Sequence, residues 1–231
     1  MATPAPLQLE PLTLEDTPAL TELWFAAFTD PELRRVFPDT PAVRQWLTDA
    51  NRHDLTHKPF QKYIKVIDPI SADQQGRPRI AAYAKWDTSM PEERGGRYPP
   101  WHEEMSSSLC DEFFRKEEEN RKRVMGEKKH FCKFPHHFLL RLLGMTFPYS
   151  LTYENDLSDL DTVATHPDYQ RRGAGSMLVG WGCDLADSQG VLAYVDASKE
   201  GAPLYAKFGF VDYSKPGEEI ASMARMADKQ P

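Results

Sequence analysis

Apolar residues recur along this chain in runs that switch between a period of two and a period near four, and the switches mark its elements. Leu7 to Leu12 alternates and predicts a first strand. Thr13 stands three residues before Asp16, a capping-box-like helix start, with Pro18 tolerated in the first turn. Leu20, Trp24 and Phe28 then follow at i, i+4, i+8, so a helix runs to about Phe28 with those three facing inward. Val43, Trp46 and Leu47 predict a second helix that ends near His53. Tyr63–Ile67 and Ile80–Trp86 read as two strands, and the turn-rich stretch Asp68 to Pro78 joins them as a hairpin.

The texture then changes. Residues 88–100 hold three prolines and two adjacent glycines, which predicts a loop. Glu103 to Lys129 is dense in both charge signs. Asp111–Arg115, Glu112–Lys116, Glu117–Arg121, Glu118–Lys122 and Glu119–Arg123 all place the acid four residues before the base, the favourable order on a helix. Only Met105, Leu109 and Phe113 give this helix an apolar stripe. A partner-binding helix is one reading; a solvated helix laid over the core is the simpler one.

Patterning resumes at Leu160–Thr165, a short strand stopped by His166-Pro167. Gln170-Arg-Arg-Gly-Ala-Gly175 is a glycine turn, and Ser176 to Ala186 continues as a helix with apolar positions Met177, Leu178, Trp181 and Leu185. Val191–Val195 is a further strand, Pro203–Phe208 a short helix stopped by Gly209, and Phe210–Tyr213 a closing strand. A strand that feeds a glycine turn opening a helix makes an anion site, because backbone N–H groups without intrahelical partners converge there and the helix dipole adds positive charge. Gly173 and Gly175 let the backbone approach a phosphate closely. Gly175 is followed by Ser-Met, which excludes a P-loop. Position 178 is Leu, which excludes the dinucleotide-binding fingerprint.

Composition narrows the field by exclusion. The 231 residues are 40% hydrophobic and 27% charged, an ordinary globular balance, with a net charge of −7. That charge argues against a protein that coats nucleic acid or an anionic membrane, though not against a local basic pocket. Cys110, Cys132 and Cys183 are far apart and form no Cys-x-x-Cys pair, so neither a zinc knuckle nor a disulfide framework is indicated. The adjacent His136 and His137 cannot share a helix face, and no metal site is expected. Met1 to Gln8 lacks the basic and apolar regions of a signal peptide, and no apolar run approaches the ~18 residues of a membrane span. A cytoplasmic protein is the expectation.

Gln170-x-x-Gly173-x-Gly175, between a strand ending at His-Pro and an apolar helix, resembles the acetyl-CoA site of the GNAT superfamily, the general amine N-acetyltransferases. Leu204-Tyr-Ala-Lys-Phe-Gly-Phe210 is similar to the Tyr-x-Lys-x-Gly-Phe segment near the end of many members, and the resemblance spans about residues 157–213. The wording around Ala164-Thr-His-Pro-Asp-Tyr-Gln-Arg-Arg-Gly-Ala-Gly175 also looks like an uncharacterised group from filamentous fungi. The resemblance implies an α/β fold: one domain over residues 1–231, with a mixed, splayed central sheet and flanking helices. It also implies a helical insertion of about residues 88–157 before the fourth strand. Members usually pass from the charged helix almost directly into that strand. Cys132 to Ser158 is therefore either a genuine insertion that lids the acceptor site or translated intron.

Carried over by position, the resemblance implies that backbone groups of Val163, Ala164 and Thr165 meet the pantetheine arm of acetyl-CoA. The turn Gln170, Arg171, Arg172, Gly173, Ala174, Gly175 and Ser176 would hold its pyrophosphate. Ser198 stands where many members carry an Asn that touches pantetheine. Tyr205 is the family's usual general acid for the departing thiolate. The base that deprotonates the amine is sought among Asp161 and Asp159, on one strand face by period-two alternation, and Asp196 on the neighbouring strand. A backbone N–H near Val163 would polarise the thioester carbonyl. The expected reaction is direct acetyl transfer in a ternary complex to the primary amine of a small molecule, by a monomer or homodimer that needs no metal. A protein or peptide acceptor and a non-catalytic acyl-CoA-binding module are the alternatives.

Overall fold

The computed structural model describes residues 6–73, 75–89, 96–126 and 157–226, of which 157–159 as backbone only. In chain order the elements are β1 (Gln8–Pro11), α1 (Thr17–Ala27), α2 (Pro31–Val36), α3 (Pro41–His57), β2 (Gln61–Ala72), β3 (Pro78–Asp87), α4 (Ser107–Gly126), β4 (Leu157–Thr165), α5 (Ala174–Gln189), β5 (Leu192–Ala197), α6 (Ala202–Ala206), β6 (Val211–Asp212) and β7 (Ala221–Arg225). The strands form one mixed sheet in the order β1-β2-β3-β4-β5-β7-β6. Every pairing is antiparallel except β4 with β5, which run parallel with α5 as their crossover.

Local chemistry explains most boundaries. Asp16 closes the expected capping box with Thr13, opening a single 3-10 turn from which α1 continues. Thr40 caps α3 by accepting the Val43 N–H, with Pro41 at its first position. At the hairpin, the Asp73 carboxylate accepts from the N–H groups of Gln75 and Arg77, and Gly76 supplies the positive φ of 78° that the turn needs. Gly190, at φ 68°, ends α5 in the left-handed conformation.

The sheet carries a layer on each face. Against one face α5 and α6 pack in a cluster with Ile64, Val66, Ala82, Ala84, Trp86, Leu160, Ala193 and Val195. Against the other, α1, α2 and α3 enclose Leu20, Trp24, Phe37, Val43 and Leu47 over Tyr63, Tyr83 and Ala164. The end of α4 covers β5 and β7 through Val124 and Met125 on Leu192, Tyr194 and Ala224. This is the α/β architecture expected, with a helical segment ahead of the fourth strand. Cys132, His136, His137 and the stretch 132–156 fall outside the described residues.

Three details differ from the sequence reading. First, the inward face of α5 is Ala174, Leu178, Val179, Gly182, Cys183 and Ala186, while Met177, Trp181 and Leu185 sit at its half-buried margin. The reason is Trp86 on β3: a Cβ on Gly182 would come within 2.0 Å of that indole, so small residues must face it. Second, α2 and β7 were not expected. Third, of the five acid–base pairs expected on α4, Glu112–Lys116 and Glu118–Lys122 form, while Glu117 also reaches off the helix to Arg97 and Arg121 also takes Glu118 one residue closer.

Candidate active site

Two irregularities in β4 create the site. In the ladder to β3, Lys85 opposes Thr162 and Trp86 opposes Leu160, so Asp161 is an extra residue without a partner, a β-bulge. On the other edge the parallel ladder to β5 ends at Leu160 opposite Val195. Past the bulge, residues 162–165 are paired to β3, and along their other edge the ladder to β5 does not continue. The splay expected from the sequence is therefore present, and it contains Val163, Ala164 and Thr165.

That free edge runs into the glycine turn. His166 caps a 3-10 turn (Pro167–Tyr169) by accepting the Asp168 N–H. Arg171 follows at φ 61° and Gly173 at φ 90°, and α5 begins at Ala174 with no side chain capping it. The first N–H groups of α5 thus point outward unclaimed by a cap, at the positive end of a 16-residue helix. Gly175 is held between layers: a Cβ there would lie 3.2 Å from Leu204 and 3.8 Å from the Thr165 hydroxyl. Strand edge, turn and α6 converge at this point. Arg172 lies over the buried Tyr169 ring at 4.6 Å and 3.5 Å from the Asp68 carboxylate, which fixes its guanidinium beside the turn.

Tyr205, on α6, sits in the α5-side cluster with Leu160, Val195 and Ala197, its ring edge-on to Phe210 at 5.7 Å. Burial pushes its phenol well above the usual tyrosine range, so it stays protonated at neutral pH, as a general acid must. The Ser198 hydroxyl accepts the Gly201 N–H at 3.1 Å and so organises the start of α6.

On the opposite face, the bulge meets a buried charged cluster. The Asp161 carboxylate accepts from Arg97 Nε at 2.8 Å and from the Thr162 hydroxyl at 2.8 Å, with Lys85 Nζ at 3.6 Å. Lys85 donates to Asp54 at 2.7 Å, and Asp54 also pairs with Lys58 at 2.8 Å. Arg97 reaches Glu117 on α4 at 2.7 Å. Burial by itself would raise the Asp161 carboxyl, but Arg97, then Lys85, and the Thr162 hydroxyl outweigh it and hold it well below the usual carboxylate range. Burial likewise pushes the Tyr98 phenol, packed against this cluster, up to about 12. A carboxylate held between two cations is a weak proton acceptor, and Asp161 has the environment of a structural ion pair rather than of a base.

Asp159 stands at a regular register position, opposite Asp87 and Tyr194. Asp196 is the first β5 residue past the last rung to β4, and it accepts from the Tyr194 and Ser222 hydroxyls at 2.7 and 3.2 Å. His166 is engaged by Arg79 at 3.1 Å, and its imidazole is lowered first by burial and then by that guanidinium. Among the described residues no cluster of three metal-ligating side chains occurs, and no helix is long and apolar enough to cross a membrane.

A parted strand pair that ends at an uncapped, glycine-lined helix start suits a ligand with an extended amide-bearing arm and a phosphate group. Known proteins share the fold that carries this geometry. Residues 138–212 match the family model of the acetyltransferase (GNAT) domain. Among solved structures, "histone acetyltransferase HPA2 and related acetyltransferase" from Corynebacterium glutamicum superposes with a TM-score of 0.54 at 17% identity, covering 98% of this chain and 99% of that one. Arylalkylamine N-acetyltransferase 2 from Aedes aegypti gives 0.53 at 13%, over 96% and 99%. PaiA N-acetyltransferase from Thermoplasma acidophilum, in complex with coenzyme A, gives 0.50 at 8%, over 96% and 99%. No curated protein matches the sequence. The fold is that of the GNAT acetyltransferases.

Within the GNAT fold, the matched stretch holds the bulge, the free edge, the glycine turn, α5 and α6. Match and fold together support an acyltransferase. The predicted site residues fall into two groups. Gly175 of the turn lies beside Leu204 of α6 and Thr165 of the free edge, and Ser198 and Tyr205 both lie beside Gly201, while Asp161 belongs to the charged cluster on the other face. Sequence reasoning missed Lys85, Arg97 and Asp54. One signal was available: Lys85 interrupts the apolar strand Ile80–Trp86, and a lysine in a strand core must find a buried anion.

Proposed function

We propose that this chain is an acetyl-CoA-dependent N-acetyltransferase that moves the acetyl group to a primary amine of a small molecule by direct attack in a ternary complex. The observation that supports this most is the parting of β4 from β5 after Leu160 and Val195, with the freed edge running into the uncapped start of α5. Acetyl-CoA would supply the activated thioester. In this reading the free edge at Val163–Thr165 takes the pantetheine amides as an added strand would. The N–H groups from Gly173 to Ser176, with Arg171 and Arg172, hold the pyrophosphate. A backbone N–H beside Val163 faces the developing oxyanion. Tyr205 gives its proton to the departing thiolate. Because Asp161 is a weak proton acceptor, Asp159 and Asp196 are the carboxylates for base work, either one through a water.

A single domain with net charge −7 suits a small cationic acceptor better than a protein tail. Monomer or homodimer, and a cytoplasmic setting, complete the proposal. The test is acetyl-CoA-dependent thermal stabilisation of the wild-type chain beside Gly173→Asp. At 100 times its Kd the cofactor adds ~2.7 kcal/mol to the wild type. The variant places a side chain at φ 90° and an anion where the phosphate belongs, and it should lose that gain. Equal stabilisation of both proteins would contradict the assigned site. Binding without thiol release to any amine or peptide would favour the non-catalytic module, and release with peptides alone would favour the protein acceptor.

A further inference from the structure

The geometry points to Arg97 as a positioning residue that locks the β4 bulge, and with it the edge against which the thioester is held; the second half of this statement rests on the proposed function. A bulge leaves the backbone of its extra residue outside the ladder, and a carbonyl turned into the protein needs a donor from elsewhere. Arg97 supplies it. Its Nη2 donates to the Asp161 carbonyl at 3.1 Å while its Nε donates to the same residue's carboxylate at 2.8 Å. Its Nη1 is anchored on Glu117 of α4 at 2.7 Å. The guanidinium also lies against the rings of Tyr98, at 5.8 Å, and Phe114, at 5.0 Å.

Three nitrogens of one planar group are thus engaged, two of them on the residue that β4 leaves out of its ladder to β3. Lysine, a point charge with no fork, cannot reproduce that arrangement. Lys85, from the strand opposite, adds a second cation at 3.6 Å but touches only the carboxylate. The consequence is directional. The bulge sets where the N–H groups of Thr162 and Val163 point, and a slip of one residue would exchange the faces of everything that follows it. Arg97 lies outside the stretch matched to the family model, so the segment between β3 and α4 contributes to the site through this clamp and not only as cover.

The test uses the full chain as wild type, Arg97→Lys and Glu117→Gln, the last loosening one arm should the first fail to fold. Amide exchange across residues 160–165 should accelerate about 10-fold or more in Arg97→Lys, with β2 and α3 unchanged. With acetyl-CoA and an acceptor amine, kcat should fall ~10–100-fold while KM for acetyl-CoA stays within about threefold, the signature of misplacement rather than lost binding. A folded variant with unchanged exchange and kcat overturns the proposal. So does a loss of kcat accompanied by uniform loosening of the whole domain, which marks a merely structural role. If the wild-type chain fails to bind acetyl-CoA, the functional reading falls, while the exchange measurement still decides whether Arg97 locks the bulge.

Discussion

Replacing Gly182 by alanine adds one methyl group where the fold has no room for it. The new Cβ would lie 2.0 Å from two carbons of the Trp86 ring and 2.6 Å from a third. Carbon atoms in contact sit about 3.5–4.0 Å apart, so α5 and β3 must separate locally by about 1.5 Å, or the indole must turn. Trp86 is fully buried in the α5-side cluster, which leaves it little freedom to turn. Overpacking a core costs ~1–3 kcal/mol and occasionally more, and a rigid ring facing a helix backbone belongs at the upper end. About 3 kcal/mol corresponds to a fall in Tm of about 6–12 °C for a chain of this size. The damage should also reach the site, because Gly182 lies only about 12 Å along α5 from Ala174, at 1.5 Å per residue. Thermal unfolding followed by tryptophan fluorescence, with and without acetyl-CoA, is the assay. Trp86→Phe should rescue Gly182→Ala in part, with a coupling of about 1–2 kcal/mol between the two. A Gly182→Ala protein melting within about 1 °C of wild type would refute the packing described.

The reading of Asp161 as an ion-paired carboxylate makes two further predictions. Asp161→Asn removes the buried carboxylate that Arg97 and Lys85 share, leaving Arg97 to Glu117 and Lys85 to Asp54, and should cost about 3 kcal/mol in urea unfolding, whereas a dispensable base would cost activity alone. The pH dependence follows from the depressed carboxyl. Its stabilisation is complete above the unfolded value near 4 and is lost as pH falls through the lower folded value, so the difference between wild type and Asp161→Asn should stay constant from about pH 8 to 5 and narrow only below about pH 4. A difference that vanishes near neutral pH would show that Asp161 titrates there.

Much of the fold was legible in the sequence, and what was missed has physical causes. The glycine turn announced itself because positive φ and close approach demand glycine, and Gly173 at φ 90° and the enclosed Gly175 meet those demands. Leu20 and Trp24 face inward as their spacing predicted. β7 escaped because Ala221-Ser-Met-Ala-Arg225 is buried on both faces and so shows no alternation, and it carries no β-branched residue. The large residues of α5 misled because the inward stripe is fixed by the partner surface: Trp86 admits Gly182 and displaces Met177 and Trp181 to the margin. The charged cluster was illegible for a different reason. Asp54, Lys85, Arg97 and Asp161 come from α3, β3, the loop before α4 and β4, and nothing in the order of residues announces that these segments meet.

The central claim is acetyl transfer at the gap between β4 and β5 with Tyr205 as the acid. Thiol release from acetyl-CoA by the purified protein, against pooled primary amines, tests it most directly when run beside Tyr205→Phe. The account predicts acceptor-dependent release that falls ~10²–10⁴-fold in the variant, with acetyl-CoA-induced stabilisation retained. An unchanged rate in Tyr205→Phe would contradict the assignment of the acid, and no release with any amine or peptide would contradict the transfer itself.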